Sequence, residues 1–443
     1  MAGARTTAMP MPTSQPAHLR PARLASTPPA WAWRRGVVAL ACGAGTLAVA
    51  APASPVPVPA AADTATAAAL GDLGAALLRQ GDAANAVASP VAVAAALGMV
   101  HAGAQGATER EIEALFGPGQ GGPRGLKQRL PALLQQLGLS DKSGTVPPPF
   151  VMAGRVWIDA AVAPAVPAAY TQRMAQRYQA DATRVSFKDS EAVRGQINTW
   201  TAERTAGRIA DLMPPGSISE ATLITLTTAI HFRSPWERPF DAARTEPRDF
   251  QTAGGTKKPV PTMIDERPVL QAQVDGTQVL ALPFAGPAYM LLLAVPAEGR
   301  SVADLLKGLN GAELARWQAA LQPRRCELAL PKFALVPKPA ALRPLLEGLG
   351  VKTVFTTAAD LRPMLGRQAK STHLGEVFHA AGIRIDEQGG EAVAAAAATV
   401  QAKSLALPPP TCAVDRPFVF AVVHRATGTP LFLGRVGDPA LSD

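Results

Sequence analysis

At 443 residues the chain can bury a large core, and 48% hydrophobic against 17% charged residues excludes a disordered polymer. The formal charge of +9 is weak evidence for a polyanion partner, because Arg5, Arg20, Arg23, Arg34 and Arg35 stand in the first 60 residues without an acid and leave only +4 for the rest. No uninterrupted apolar stretch reaches the ~20 residues of a spanning helix, so a soluble globular body is expected, with no nucleic acid partner.

Residues 1–62 read as an export leader followed by an Ala/Pro-rich linker. An arginine-bearing start precedes the weakly polar segment Gly36 to Ala50, and small residues at Ala51 to Ala53 and Ala60 to Ala62 offer cleavage points. Arg34-Arg35 fits a twin-arginine signal poorly. Leu40-Ala41-Cys42 resembles a lipoprotein box, and lipidation of Cys42 is the one route to a membrane. Export is the expectation; a misassigned start or a disordered tail would instead leave the protein in the cytoplasm.

Thr66 to Gln80 predicts an amphipathic helix ending near Gly81. Ser89-Pro90 opens a second, with serine as cap and proline in the first turn. Thr108-Glu109-Arg110-Glu111 has the form of a capping box opening a third. Gly117 to Pro149 is rich in Gly, Pro and Gln around one basic helix. Its trio Arg124, Lys127 and Arg129 suits either a sulfated glycan or, more simply, a solvated face.

Val151 to Ile158 predicts a buried strand, and Ala168 to Ala180 and Ser190 to Leu212 predict helices. Seven strand-like runs follow: Leu223 to Phe232, Val279 to Leu282, Met290 to Val295, Cys326 to Leu330, Val377 to Ile385, Val419 to Val423 and Leu431 to Leu433. The class that results is α+β, helices packed on an antiparallel-rich sheet system.

Three cysteines, Cys42, Cys326 and Cys412, make no disulfide framework and no zinc spacing. Cys326 and Cys412 would suit one bridge or two unrelated buried thiols. The chain lacks G-x-S-x-G, S-x-x-K, H-E-x-x-H, phosphate-loop and dinucleotide motifs, so no catalytic group, metal or cofactor is expected. A hydrolase with a scattered triad stays open as an alternative. His379 reads as a buried structural histidine.

The most unusual stretch runs from Ile385 to Ser404, where an acidic, glycine-broken turn opens into Ala392 to Ala398, interrupted only by Val393. Such small side chains suit a helix or a flexible linker, and they would also enter a packed sheet without the ~1–3 kcal/mol cost of overpacking.

Several tags occur in a fixed order. Asn85 and Ser89-Pro90 precede Ala96-Leu97-Gly98-Met99 and Gly103-Ala104-Gln105-Gly106-Ala107-Thr108. Ile197-Asn198-x-Trp200 with Thr205, Ile209 and Leu212 is followed by Ile230-x-Phe232 and Trp236-x-x-Pro239-Phe240. Leu330-Pro331-Lys332-Phe333, Pro417-Phe418-x-Phe420 and Pro430-Leu431-Phe432-x-Gly434-Arg435-Val436 complete the set. From Thr66 to Pro439 the chain resembles the serpin family.

That resemblance implies one domain over 63–443, with helices on three mainly antiparallel sheets and an exposed reactive-centre loop near 387–412. It implies a monomeric inhibitor, not an enzyme: a target serine (or cysteine) protease cuts the loop, and the freed alanine run enters the central sheet before the acyl ester hydrolyses. The hinge would comprise Glu387, Gly389, Gly390, Glu391, Ala392, Ala394, Ala395 and Ala396. Counting the family's usual loop length from Glu387 places the cut between Lys403 and Ser404, suiting a trypsin-like pocket. Counting back from Pro417 favours Leu405, Ala406 or Leu407, which suits elastase- or subtilisin-like targets.

The sheet-opening region would hold Ser89, Asn198, Thr228, Trp236, Lys332 and His379, with Lys332 paired to Glu387. Gly390 replaces the Thr or Ser of inhibitory members, and Thr228 replaces a common asparagine. A non-inhibitory carrier or chaperone is the second reading.

Overall fold

The apolar runs pair into two large sheets. The computed structural model describes residues 61–116, 126–138, 150–162, 166–178, 180–286, 288–336, 338–366, 371–390 and 409–441. Its six-stranded sheet has the order Phe333–Leu335, Glu376–Ile385, Ile224–Phe232, Phe150–Asp159, Asp181–Val185, with Ala340–Ala341 also on Glu376–Ile385. A nine-stranded sheet runs Ala86–Ala88, Pro430–Val436, Phe418–His424, Tyr289–Val295, Thr277–Pro283, Lys257–Val274, Gln322–Pro331, Thr411–Ala413, with Thr245–Gln251 added to Lys257–Val274. Gly389–Gly390 and Ser234–Pro235 make a third, two-stranded sheet. Pairing is mainly antiparallel; among the described residues the parallel pairs are Gln322–Pro331 with Thr411–Ala413, Glu376–Ile385 with Ile224–Phe232, and Phe150–Asp159 with Asp181–Val185.

Ile224–Phe232 explains itself by coverage. All nine of its residues are buried, because both faces of the strand are roofed. Ile224, Leu226, Ile230 and Phe232 join the core that holds helix Pro90–His101, while Ala229 packs with Trp157, Phe378 and Ala380 beneath helix Ser190–Arg204. The helix Pro90–His101 is buried all round, which its sequence PVAVAAALGMVH allows. Ser89 caps it, as the sequence predicts, by accepting a hydrogen bond from Ala92 N–H.

Two boundaries differ from the sequence reading. Helix Ser190–Arg204 ends well short of Leu212, because Ala206 (φ 51°) and Gly207 (φ 76°) turn left-handed just after Thr205. Helix Gly106–Leu115 starts before Thr108, so there is no capping box. Tertiary partners take both side chains instead: Thr108 Oγ1 accepts from Asp360 N–H, and the Glu111 carboxylate accepts from Lys352 and Thr353 N–H.

Strand Lys257–Val274 escaped sequence reading because Pro259, Pro261 and Pro268 interrupt it. Each proline lies where the strand has a partner on one side only: residues 257–261 pair with Thr245–Gln251 alone, and 264–269 with Gln322–Pro331 alone. A missing N–H costs no ladder bond on an unpaired side.

Asn85 ties the segment ahead of helix Pro90–His101 to the C-terminal segment. Its Nδ2 donates to the carbonyls of Asp438 and Leu441, and its Oδ1 accepts from Gly437 and Asp438 N–H, all near or below 3.2 Å. Beside it, Ala86–Ala88 pairs with Pro430–Val436.

Candidate functional site

Strands Glu376–Ile385 and Ile224–Phe232 hydrogen-bond directly to each other, in register from Glu376↔Thr225 to Gly382↔His231. The position between them is closed. Beyond Ile385 the chain turns at Asp386 and returns as Gly389–Gly390 against Ser234–Pro235, the two residues that extend the neighbouring strand. Reciprocal backbone bonds between Asp386 and Gly389 tighten the turn.

Only glycine fits at these two hinge positions. Gly389 has φ 125°, and a Cβ there would lie 2.4 Å from Ser234 O. A Cβ on Gly390 would lie 2.6 Å from the Phe232 ring. The glycine that departs from the family's Thr or Ser is therefore the residue that lets the hinge dock on the end of the seam.

Glu387 holds this turn in place. Its carboxylate pairs with Lys332 Nζ at 2.9 Å and accepts from Thr245 Oγ1 at 2.7 Å, while its side chain is only 12% exposed. Burial alone would raise the Glu387 carboxyl, but the bonds from Lys332 and Thr245 outweigh it and hold the group below the usual value. Trp236 supplies a second clasp: its backbone N–H donates to Gln388 O and its indole Nε1 to Asp386 O, both at 2.8 Å. The indole stacks on Phe284, with centroids 4.6 Å apart and planes within 3°. Phe240 N–H donates to Glu387 O.

Midway along the seam lies a buried polar knot. Ser89 N–H donates to His379 Nε2 at 3.0 Å, Ser89 Oγ donates to Leu431 O at 2.6 Å, and Thr228 Oγ1 donates to Ala92 O at 3.3 Å. His379 and Thr228 face each other in register across the seam, so the cap of one helix grips both strands. Burial pushes the His379 imidazole down to about 4, keeping Nε2 free to accept.

The structure thus joins Ser89, Thr228 and His379, and separately Trp236, Lys332 and Glu387. Asn198 belongs to neither group. It sits on the helix over the other face, where it donates to Met213 O, which also accepts from Arg194 Nη1, and accepts from Met213 N–H, so that the buried backbone of that loop is satisfied. Thr245 and Phe284 were missed in sequence; Thr245 stands 142 residues from its partner, and nothing local marks it. Glu391, Ala392, Ala394, Ala395, Ala396, Lys403, Ser404, Leu405, Ala406 and Leu407 lie outside the described residues. Just past them, Cys412 is joined to Cys326 by a disulfide, which resolves the choice between bridge and free thiols.

Glu387→Lys should set two cations against each other at the top of the seam and free the hinge. The expected result is ladders of associated chains on mild heating, seen on a native gel, where the unchanged protein stays single; identical behaviour would show that the pair does not restrain the strands.

The buried histidines predict an acid weakness. His379 in the folded protein titrates near 4 against 6.5 unfolded, so its contribution is complete above pH 6.5 and is lost as pH falls from 6.5 to 4, on the order of 3 kcal/mol. His231 is pushed to about 4 as well, first by burial and then by Arg208, Arg233 and Arg384. Thermal midpoints taken at one scan rate between pH 4.5 and 7.5 should fall with acid in the unchanged protein and fall less steeply in His379→Gln. Parallel curves would exclude His379 as a source of the slope.

A family model described as Serpin (serine protease inhibitor) matches residues 68–439. Serpin-Z1C of Triticum aestivum is 32% identical over 375 residues, covering 81% of this chain and 91% of that protein. Serpin-ZXA of Oryza sativa subsp. japonica is 30% identical over 366 residues, with the same coverages. Among solved structures, the thermophilic serpin Tengpin in its native state superposes with TM-score 0.73 at 23% identity, covering 85% of this chain and 93% of that one. Human thyroxine-binding globulin complexed with thyroxine superposes with TM-score 0.74 at 23% identity, covering 86% of this chain and 100% of that one. By the extent of these matches, the chain belongs to the serpin family of serine protease inhibitors.

Proposed function

We propose that this serpin is a suicide-substrate inhibitor of serine proteases. The observation that supports it is the closed seam capped by a docked glycine hinge: the strands flanking the position that a cleaved loop would occupy already pair with each other. A protease serine would attack the Lys403 carbonyl, expel the Ser404 amine and form an acyl ester. Residues from Glu391 on would then enter between Ile224–Phe232 and Glu376–Ile385, adding a strand and dragging the bound protease away.

The small side chains of Ala392 and Ala394 to Ala398 suit that passage, and Val393 adds neither charge nor proline. A basic residue at Lys403 favours a trypsin-like target, with Leu405 to Leu407 as the elastase- or subtilisin-like alternative. Export through the leader 1–62 and a monomeric state complete the proposal. A carrier role, of the kind that thyroxine-binding globulin is named for, is the second reading; the hinge glycines, which both fit a docked loop, suit either.

Incubation with trypsin-, elastase- and subtilisin-like proteases should give an SDS-stable adduct on a denaturing gel. Lys403→Ala should abolish the trypsin adduct and leave the fold intact, since an exposed loop side chain contributes little to stability. Cutting the loop anywhere from Val400 to Leu407 should raise the thermal midpoint by tens of degrees, each kcal/mol being worth about 2–4 °C. A nicked protein that melts no higher than the intact one, with no adduct, would leave the carrier reading in front.

A further inference from the structure

Strand Thr411–Ala413 is the anchor on the far side of the loop. It pairs in parallel with Gln322–Pro331, from Glu327↔Thr411 to Ala329↔Ala413, and the Cys326–Cys412 disulfide crosses the same two strands with Cα atoms 5.9 Å apart. We propose that this disulfide keeps the uncleaved loop out of the central sheet, so that strand insertion is reserved for the cut chain. The proposal rests on the inhibitory reading above.

Chain length carries the argument. The position between the flanking strands runs from the Gly390↔Ser234 pair to the Glu376↔Thr225 pair, nine steps of strand or about 30 Å at ~3.3 Å per residue. Residues 391–410 join Gly390 to Thr411. An intact chain filling the position would spend about ten of those twenty going in and keep about ten for the way back, a reach of at most ~36 Å. The return must cover the same 30 Å and then continue past Lys332 to Glu327, five residues of strand further, roughly 16 Å more. The intact loop is therefore short by about 10 Å.

Peeling Thr411–Ala413 off its neighbour would remove the shortfall. The next anchored strand starts at Phe418, so residues 411–417 would add about 23 Å of chain. A parallel ladder of three register pairs at the end of a sheet is a weak tie by itself. The disulfide makes it a covalent one. Cys326 is fully buried and Cys412 is 3% exposed, so a reductant cannot reach the bond while the strands stay paired. A chain cut after Lys403 is under no such limit, because its inserting segment has a free end.

The test uses the full chain as Cys326→Ala/Cys412→Ala beside the unchanged protein, each kept uncut and warmed below its unfolding midpoint. The variant should lose most of its protease-trapping capacity over hours while mass spectrometry finds one intact chain. Its thermal midpoint should climb toward that of the cleaved protein. The unchanged protein should keep its capacity and its midpoint.

A variant that retains capacity, or that only melts lower or aggregates, would reduce the disulfide to an ordinary staple and overturn the proposal. If the variant does not fold, the unchanged protein is loosened in mild denaturant and treated with dithiothreitol. The reagent supplies two electrons and two protons, giving two thiols, and is itself oxidised to a cyclic disulfide. After alkylation with iodoacetamide the same rise in midpoint is expected, and its absence counts equally against the proposal. Cleaved unchanged protein serves as the separate control: if its midpoint does not rise, the inhibitory reading fails by itself, whatever the disulfide does.

Discussion

Everything else in this molecule depends on one backbone ladder, the direct pairing of Ile224–Phe232 with Glu376–Ile385. A parallel pair is intrinsically a little weaker than an antiparallel one, and here it lies at the centre of a six-stranded sheet with helices on both faces. The surrounding side chains read as restraints on that ladder. The Ser89, Thr228 and His379 knot grips it midway, and the Glu387, Lys332 and Thr245 group holds its upper end. The Ser89 hydroxyl donates to Leu431 O and not to His379, so these two residues are not paired as nucleophile and base.

The restraints differ in kind. The knot is buried and made of neutral groups, so its strength is insensitive to salt but fails if His379 is forced to accept a proton. The Glu387 group is partly open, with Lys332 37% exposed, so ions and water compete for it. Trp236 contributes area instead of charge: stacked on Phe284 and donating to Asp386, it makes the turn part of the core.

Fold and site were legible to different degrees, for physical reasons. Runs such as Leu223 to Phe232 and Val377 to Ile385 declared themselves because strands covered on both faces are dominated by apolar and β-branched residues, with Thr227, Thr228, His231 and His379 among the buried polar exceptions. The family tags supplied the pairing of Lys332 with Glu387 and the neighbourhood of Ser89 and His379. What stayed hidden depends on contacts distant in sequence. Thr245 carries no local mark of its bond to Glu387, the prolines of Lys257–Val274 looked like breaks until their unpaired sides were seen, and Thr108 with Glu111 made a convincing cap that tertiary partners had claimed. Asn198 was assigned to the polar knot by resemblance, and its side chain turned out to serve Met213.

The four bonds of Asn85 to Gly437, Asp438 and Leu441 bear on how the chain folds. Among the described residues Ala86–Ala88 pairs only with Pro430–Val436, and Ser89 Oγ, which caps helix Pro90–His101, spends its proton on Leu431. Helix Pro90–His101 can pack on Ile224–Phe232 before that contact forms, but its cap is complete only once Leu431 is in place. Contacts so far apart in sequence close very long loops and carry a correspondingly large entropy cost. Removing the segment that holds Gly437, Asp438 and Leu441 would leave the buried Asn85 amide unpaired, so its loss is a folding defect.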